Sequence, residues 1–178
     1  LSSSAAVSYP RPGADPPAYG SGPGDPAAGL LYTAPFLLDR STRLRARAKS
    51  GGTWSAMAEA LFYDTRPSPL RIAELMVAPR ADGSGTNDPS DFEFVEIVNT
   101  GDRTVGLVGV RLAEGVRFDF GDGAIDTLAP GGRAVVVRNA AAFESLHGPG
   151  LPVAGEFEGG LDDAGESVVL EVEGVGEV

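Results

Sequence analysis

DFEFVEIVNTG, residues 91–101, sets two glutamates three positions apart inside an aromatic and β-branched run. As a strand, this run puts Glu93, Val95, Ile97 and Asn99 on one face and Phe94, Glu96 and Val98 on the other. Two carboxylates acting on one bond must converge across roughly 5 to 10 Å. Opposite faces of one strand prevent that, so the pair marks a sheet strand and not a catalytic dyad. One face must pack a core, which puts one glutamate in an ion pair or at the sheet rim. Asn99 then stands where its side chain can tether the NTGD turn to the backbone.

The surrounding sequence repeats this pattern. LRIAELMV (70–77) precedes the run across the polar stretch APRADGSGTNDPSD, and TVGLVGVRL (104–112) and VRFDF (116–120) follow it. The turn APGG (129–132) leads into RAVVVR (133–138), after which Asn139 can cap a short helix, AAAFESLH. VAGEFEG and ESVVLEVE return to strand. Short strands punctuated by turn residues predict an antiparallel sandwich with one helix in a crossover.

Upstream, residues 8–29 are rich in proline and glycine, lack a hydrophobic period and predict a long loop. In RLRARAK the cations Arg43, Arg45, Arg47 and Lys49 alternate with Leu44, Ala46 and Ala48, the period of a half-buried strand. Gly51-Gly52 predicts a hairpin turn and MAEALFY the returning strand. The prolines of TRPSP (65–69) mark a boundary, giving domains over 1–66 and 67–178.

The 178 residues leave room for one large domain, or for one complete and one partial small domain, and 25 glycines with 14 prolines suit turns better than helices. From Ser68 onward, 20 acidic and 7 basic residues leave a net −13; residues 1–67 hold 5 and 7 and carry +2, matching the overall −11. An acidic half of that size repels phosphate backbones, which argues against nucleic acid as its partner. With no cysteine, disulfides and thiolate metal sites are excluded. No apolar run reaches the roughly 18 to 20 residues of a membrane span, and LSSSAAV lacks the charged start and apolar stretch of a signal peptide. The first residue is not methionine, so the expectation is a segment of a longer polypeptide.

RIAELM (71–76), EFVEIVNTG (93–101), LAPGGRAVVVR (128–138) and GESVVLEV (165–172) occur in the order of four blocks of the lamin tail domain. From about Pro69 to the end the chain resembles that family, which implies an immunoglobulin-like sandwich, here expected to lack its last strand. LYTAPFLL, STRLRARA and TWSAMAEALF resemble the chitobiase C-terminal-type domain, a small immunoglobulin- or fibronectin-like β module. The upstream strand of that family is represented only by YPRPGADP (9–16), which implies a partial module. The resemblance implies bacterial proteins in which the two modules usually sit in large secreted or envelope polypeptides, some with a CotH-like kinase domain. The resemblance therefore implies an extracellular or cell-envelope location.

Several residue groups could form sites. Counted from Asp82, oxygen-bearing side chains fall at positions 1, 3, 5, 7, 9 and 12: Asp82, Ser84, Thr86, Asp88, Ser90 and Glu93. That spacing matches a calcium loop of about twelve residues, with Asp82, Asp88 and Glu93 as the acidic ligands. However, position 6 is Asn87 where such loops carry glycine, so a solvated connecting loop is the competing reading. Arg43, Arg45 and Arg47 with Trp54 could contact an anionic group or a glycan, Trp54 stacking on sugar beside Tyr32 and Tyr63. The plain alternatives are a solvated strand face and ordinary core aromatics, and the cations would also guard an exposed edge strand. His147, the only histidine, stands at a helix end, where the helix dipole accounts for it without a metal or a triad.

The expected function is a non-catalytic interaction or spacer module, with other domains of the same polypeptide or surface proteins as partners and no resident cofactor beyond calcium in the 82–93 loop. Two alternatives stand beside it: an accessory region of a secreted kinase or hydrolase whose catalytic domain lies elsewhere, and a glycan-binding module.

Overall fold

The computed structural model describes residues 4–8, 30–32, 34–50, 53–80 and 87–178. The chain divides into two compact units, Leu1–Asp64 and Thr65–Val178.

The first unit is a sheet of β1 (Ser4–Ser8), β2 (Leu30–Leu31), β3 (Thr42–Ser50), β4 (Thr53–Trp54) and β5 (Ala58–Phe62). The alternating basic stretch forms β3, as its period predicts, but it is not an edge. It pairs antiparallel with β1 on one side and with β4 and β5 on the other. Its cations therefore project from an interior strand and cannot serve as edge guards. Gly51-Gly52 lies outside the described residues, and the strand that returns from it is split. Between β4 and β5, Ser55 N–H donates to Ala48 O at 2.8 Å, and Ser55 Oγ accepts from Ala48 N–H at 3.0 Å.

The second unit is the sandwich. Its strands are β6 (Leu70–Met76), β7 (Phe94–Asn99), β8 (Val105–Gly106), β9 (Val110–Glu114), β10 (Val116–Asp119), β11 (Thr127–Leu128), β12 (Arg133–Val137), β13 (Val153–Glu156), β14 (Glu158–Gly159), β15 (Val169–Val172) and β16 (Gly176–Glu177); helix α1 (Ala140–His147) joins β12 to β13. One sheet runs β13-β12-β7-β6, the other β14-β10-β9-β15-β16, and β11-β8 forms a small ribbon. Asn139 caps α1 as expected, its side chain accepting from Ala142 N–H at 3.1 Å. The helical crossover has a consequence for the sheet: β12 and β13 run parallel, the exception among the otherwise antiparallel pairs of the described residues.

Val95 and Ile97 from β7, Ala134 and Val136 from β12, Val110 and Leu112 from β9 and Leu170 and Val172 from β15 meet in one core between the sheets. Each fully buried aliphatic side chain contributes about 1.5–3 kcal/mol, so a one-residue slip of β7 would forfeit several such contributions and bring Glu96 inward. Phe94, Val135, Val137 and Phe143 form a second, smaller core where α1 covers the other face. Both faces of β7 are covered at its start, which is why an alternating strand opens with two consecutive buried residues.

Candidate functional site

The two glutamates of the opening stretch do separate, as strand geometry requires. Glu93 lies on the core face and is 4 % exposed. Its Oε2 accepts from Leu161 N–H at 2.9 Å and from Arg138 Nη1 at 3.2 Å, while Arg138 N–H donates to Glu93 O at 3.0 Å. A Cβ at Gly160 would collide with the Arg138 guanidinium, so the absence of a side chain there makes room for the pair. Glu96 faces the other way and pairs with Arg133 on the neighbouring strand. The arrangement supplies two structural ion pairs on opposite faces and no convergent carboxylates.

Of the proposed calcium ligands, Asp82 lies outside the described residues, as do Ser84 and Thr86. Asp88 caps the 3-10 turn Pro89–Phe92: its Oδ1 accepts from Ser90 N–H at 3.0 Å and Ser90 Oγ at 2.7 Å, and Asp91 Oδ2 accepts from Asp88 N–H at 3.0 Å. The hydrogen bonds from Ser90, side chain first and backbone second, hold the Asp88 carboxyl below the usual aspartate range, with a smaller contribution from the charge of Arg138. Among the described residues, no three acidic or histidine side chains gather as a metal site. Calcium at Glu93 would have to draw that carboxylate away from Arg138 and Leu161.

Arg43, Arg45 and Arg47 share β3, and the structure gives Arg45 a partner within its own sheet, Glu59 at 2.6 Å. Lys49 Nζ sits 5.1 Å from the centroid of the Trp54 ring, a cation–π contact on the ring a sugar would stack against. Tyr32 meets Phe36 edge-on at 6.2 Å, and Tyr63 is exposed. His147 lies 4.5 Å from Phe143 and 6.1 Å from Phe94, centroid to centroid, closing the small aromatic core under α1.

Asn99 is fully buried at the far end of β7. Its Nδ2 donates to Arg103 O at 2.8 Å and to Leu128 O at 2.9 Å, and its Oδ1 accepts from Gly101 N–H at 3.0 Å. Its backbone donates to Gly132 O and accepts from Gly131 N–H, both at 2.9 Å. The tether expected for the NTGD turn is therefore only half of its role: the same residue also holds the LAPGG turn. A Cβ at Gly101 would fall 2.7 Å from Pro69, so glycine lets the turn close against the start of β6. RIAELM, EFVEIVNTG and LAPGGRAVVVR thus build three adjacent strands of one sheet, while GESVVLEV leads into β15 of the other.

Residues 64–174 match the family model of the lamin tail domain. The chain belongs to the lamin tail domain family. The match spans the sandwich from β6 through β15 and gives its all-β, immunoglobulin-like fold a family, one whose fold is generally non-catalytic. Comparison with curated proteins and with solved structures found no match.

One surface of the lamin tail sandwich was not anticipated from its sequence. On the open face of β9, β10 and β15, Arg111, Arg117, Asp119 and Glu171 line an open groove of about 410 Å³. Glu171 faces Arg111 across the strands at 2.6 Å and pushes its pKa up. Along their strands these residues alternate with core positions such as Leu112 and Leu170. Their concentration in one groove comes from the strand order.

Proposed function

We propose that this chain is a non-catalytic interaction and spacer region of a larger secreted or cell-envelope bacterial protein, working without a resident cofactor. One observation carries this reading: the polar residues of the lamin tail blocks are committed to holding strands and turns together. Glu93 joins two strand ends and a loop, Glu96 bridges to β12, and Asn99 links two turns. A rigid sandwich of that kind presents loops and open sheet faces to other domains of the polypeptide or to surface proteins. For the preceding residues, from about 9 to 64, the same role is proposed as a partial chitobiase-C-terminal-like β module, a reading that rests on the LYTAPFLL, STRLRARA and TWSAMAEALF stretches alone, which the lamin tail match does not reach.

In-frame removal of this region from its parent protein tests the proposal. Loss of surface retention or partner capture, with any neighbouring catalytic activity on soluble substrate unchanged, is the expected result. A fall in turnover on soluble substrate would instead make the region an accessory of an enzyme. Glycan capture through Trp54, Arg43, Arg45 and Arg47 is a further alternative, and it is refuted if a folded Trp54→Ala protein binds a glycan array as the parent does.

A further inference from the structure

Addition of a foreign strand needs outward-facing N–H and C=O groups along a sheet edge. Four strands border the two sheets of the sandwich: β14, β16, β13 and β6. β14 and β16 have two residues each. β13 is covered, since Ala124 N–H donates to Ala154 O at 2.8 Å. β6, with seven residues, is the long edge, and its described hydrogen-bonding partner is β7 alone.

The start of that edge is closed from within. Pro69 turns its carbonyl toward β7, accepting from Thr100 N–H at 3.0 Å and Thr100 Oγ1 at 2.7 Å. Alternation along the strand then points the carbonyls of Ser68 and Leu70 outward, together with the Leu70 N–H. All three groups are occupied. Arg71 Nη1 folds back to donate to Ser68 O at 3.0 Å and to Leu70 O, while Leu70 N–H donates to Ser68 Oγ at 3.3 Å. Ile72 carries the next outward pair, and beyond it a bulge between Ile72 and Glu74 breaks the register.

We propose that Ser68 and Arg71 form a clasp that seals the β6 edge against pairing with a second copy of this chain. A second copy is the occupant to exclude because an antiparallel edge matches itself about a two-fold axis with no further complementarity. The strand also offers apolar surface to such a pairing: Leu75 is 41 % exposed, and Ile72 and Met76 are half-buried. Opening the clasp would join the outward groups of Leu70 to those of Ile72 in one accessible run.

Sedimentation velocity and amide exchange on the 178-residue chain test the clasp, using Arg71→Met, which keeps the apolar stem, and Ser68→Ala. Arg71→Met should self-associate at least about tenfold more tightly than the parent, with amides of residues 70–76 gaining protection as concentration rises. Ser68→Ala should accelerate exchange at the Leu70 amide while leaving Val95, in the sheet centre, unchanged. Sedimentation of Arg71→Met superimposable on the parent, or self-association mapping away from β6, overturns the proposal. So does an unchanged Leu70 exchange rate in Ser68→Ala.

Discussion

The two ends of β7 bury a polar side chain on the same face and satisfy it by different means. At the first end Glu93 is a charge, so it takes a cation, Arg138, from the end of the neighbouring strand and an N–H, Leu161, from a distant loop. At the other end Asn99 is neutral and needs no countercharge; three backbone groups in two turns saturate it. The ion pair remains partly in touch with solvent, since the Arg138 side chain is 36 % exposed, whereas Asn99 is sealed. Water can therefore replace part of what the first end loses on mutation, and little of what the second loses.

The sealed end should be the more fragile. Asn99→Ala removes three hydrogen bonds to backbone groups and should cost about 3 kcal/mol in denaturant unfolding; a loss below about 1 kcal/mol would mean water enters and the contrast between the ends is false. Glu93→Met strands Arg138 and should cost about 2 kcal/mol, less than the cost for a fully buried pair because the guanidinium reaches solvent. Adding Arg138→Met should recover much of that loss; if the double variant is no better than the single, the charge is not what the first end is built around.

A smaller effect sharpens the geometry of that end. Gly160→Ala pushes on the guanidinium and should destabilise by about 1 kcal/mol, a cost that shrinks when Arg138 is already methionine. Smaller still is the acid response of Asp88. Its folded pKa is depressed, so its stabilisation is present above the ordinary aspartate range and fades as pH falls through the lowered folded value. Asp88→Asn should flatten that acid limb in a melting series, and an unchanged pH profile would remove Asp88 from the account. Millimolar calcium should leave the melting midpoint where it is, because Glu93 is committed to Arg138; a clear rise would return Asp82, Asp88 and Glu93 to the role of ligands.

Period-two alternation disclosed most of the strands and the divergence of Glu93 from Glu96, and the cap signal at Asn139 disclosed the helix. Turn chemistry placed Asn99 at a turn. It did not disclose the second turn that Asn99 holds, because Leu128 lies 29 residues away along the chain. The split of the TVGLVGVRL stretch into β8 and β9 escaped it too: the chain turns at Val108-Gly109, where Leu107 O accepts from Val110 N–H at 3.1 Å. Nor did alternation reveal that β3 is interior, since a strand's own pattern does not say how many neighbours it has.

What the sequence by itself determined are the properties that act over a few residues: which stretches extend, where they turn, which side chains share a face, and the sign of the charge. Tertiary structure decided which face goes inside, which cation meets Glu93 and which edge is left open. Those choices depend on groups 45 and 68 residues apart along the chain, Arg138 and Leu161 from Glu93, and only strand order brings such groups within hydrogen-bonding distance. A buried charge is tolerable only once its distant partners have arrived, so its role is legible in the folded sheet and not in the strand that carries it.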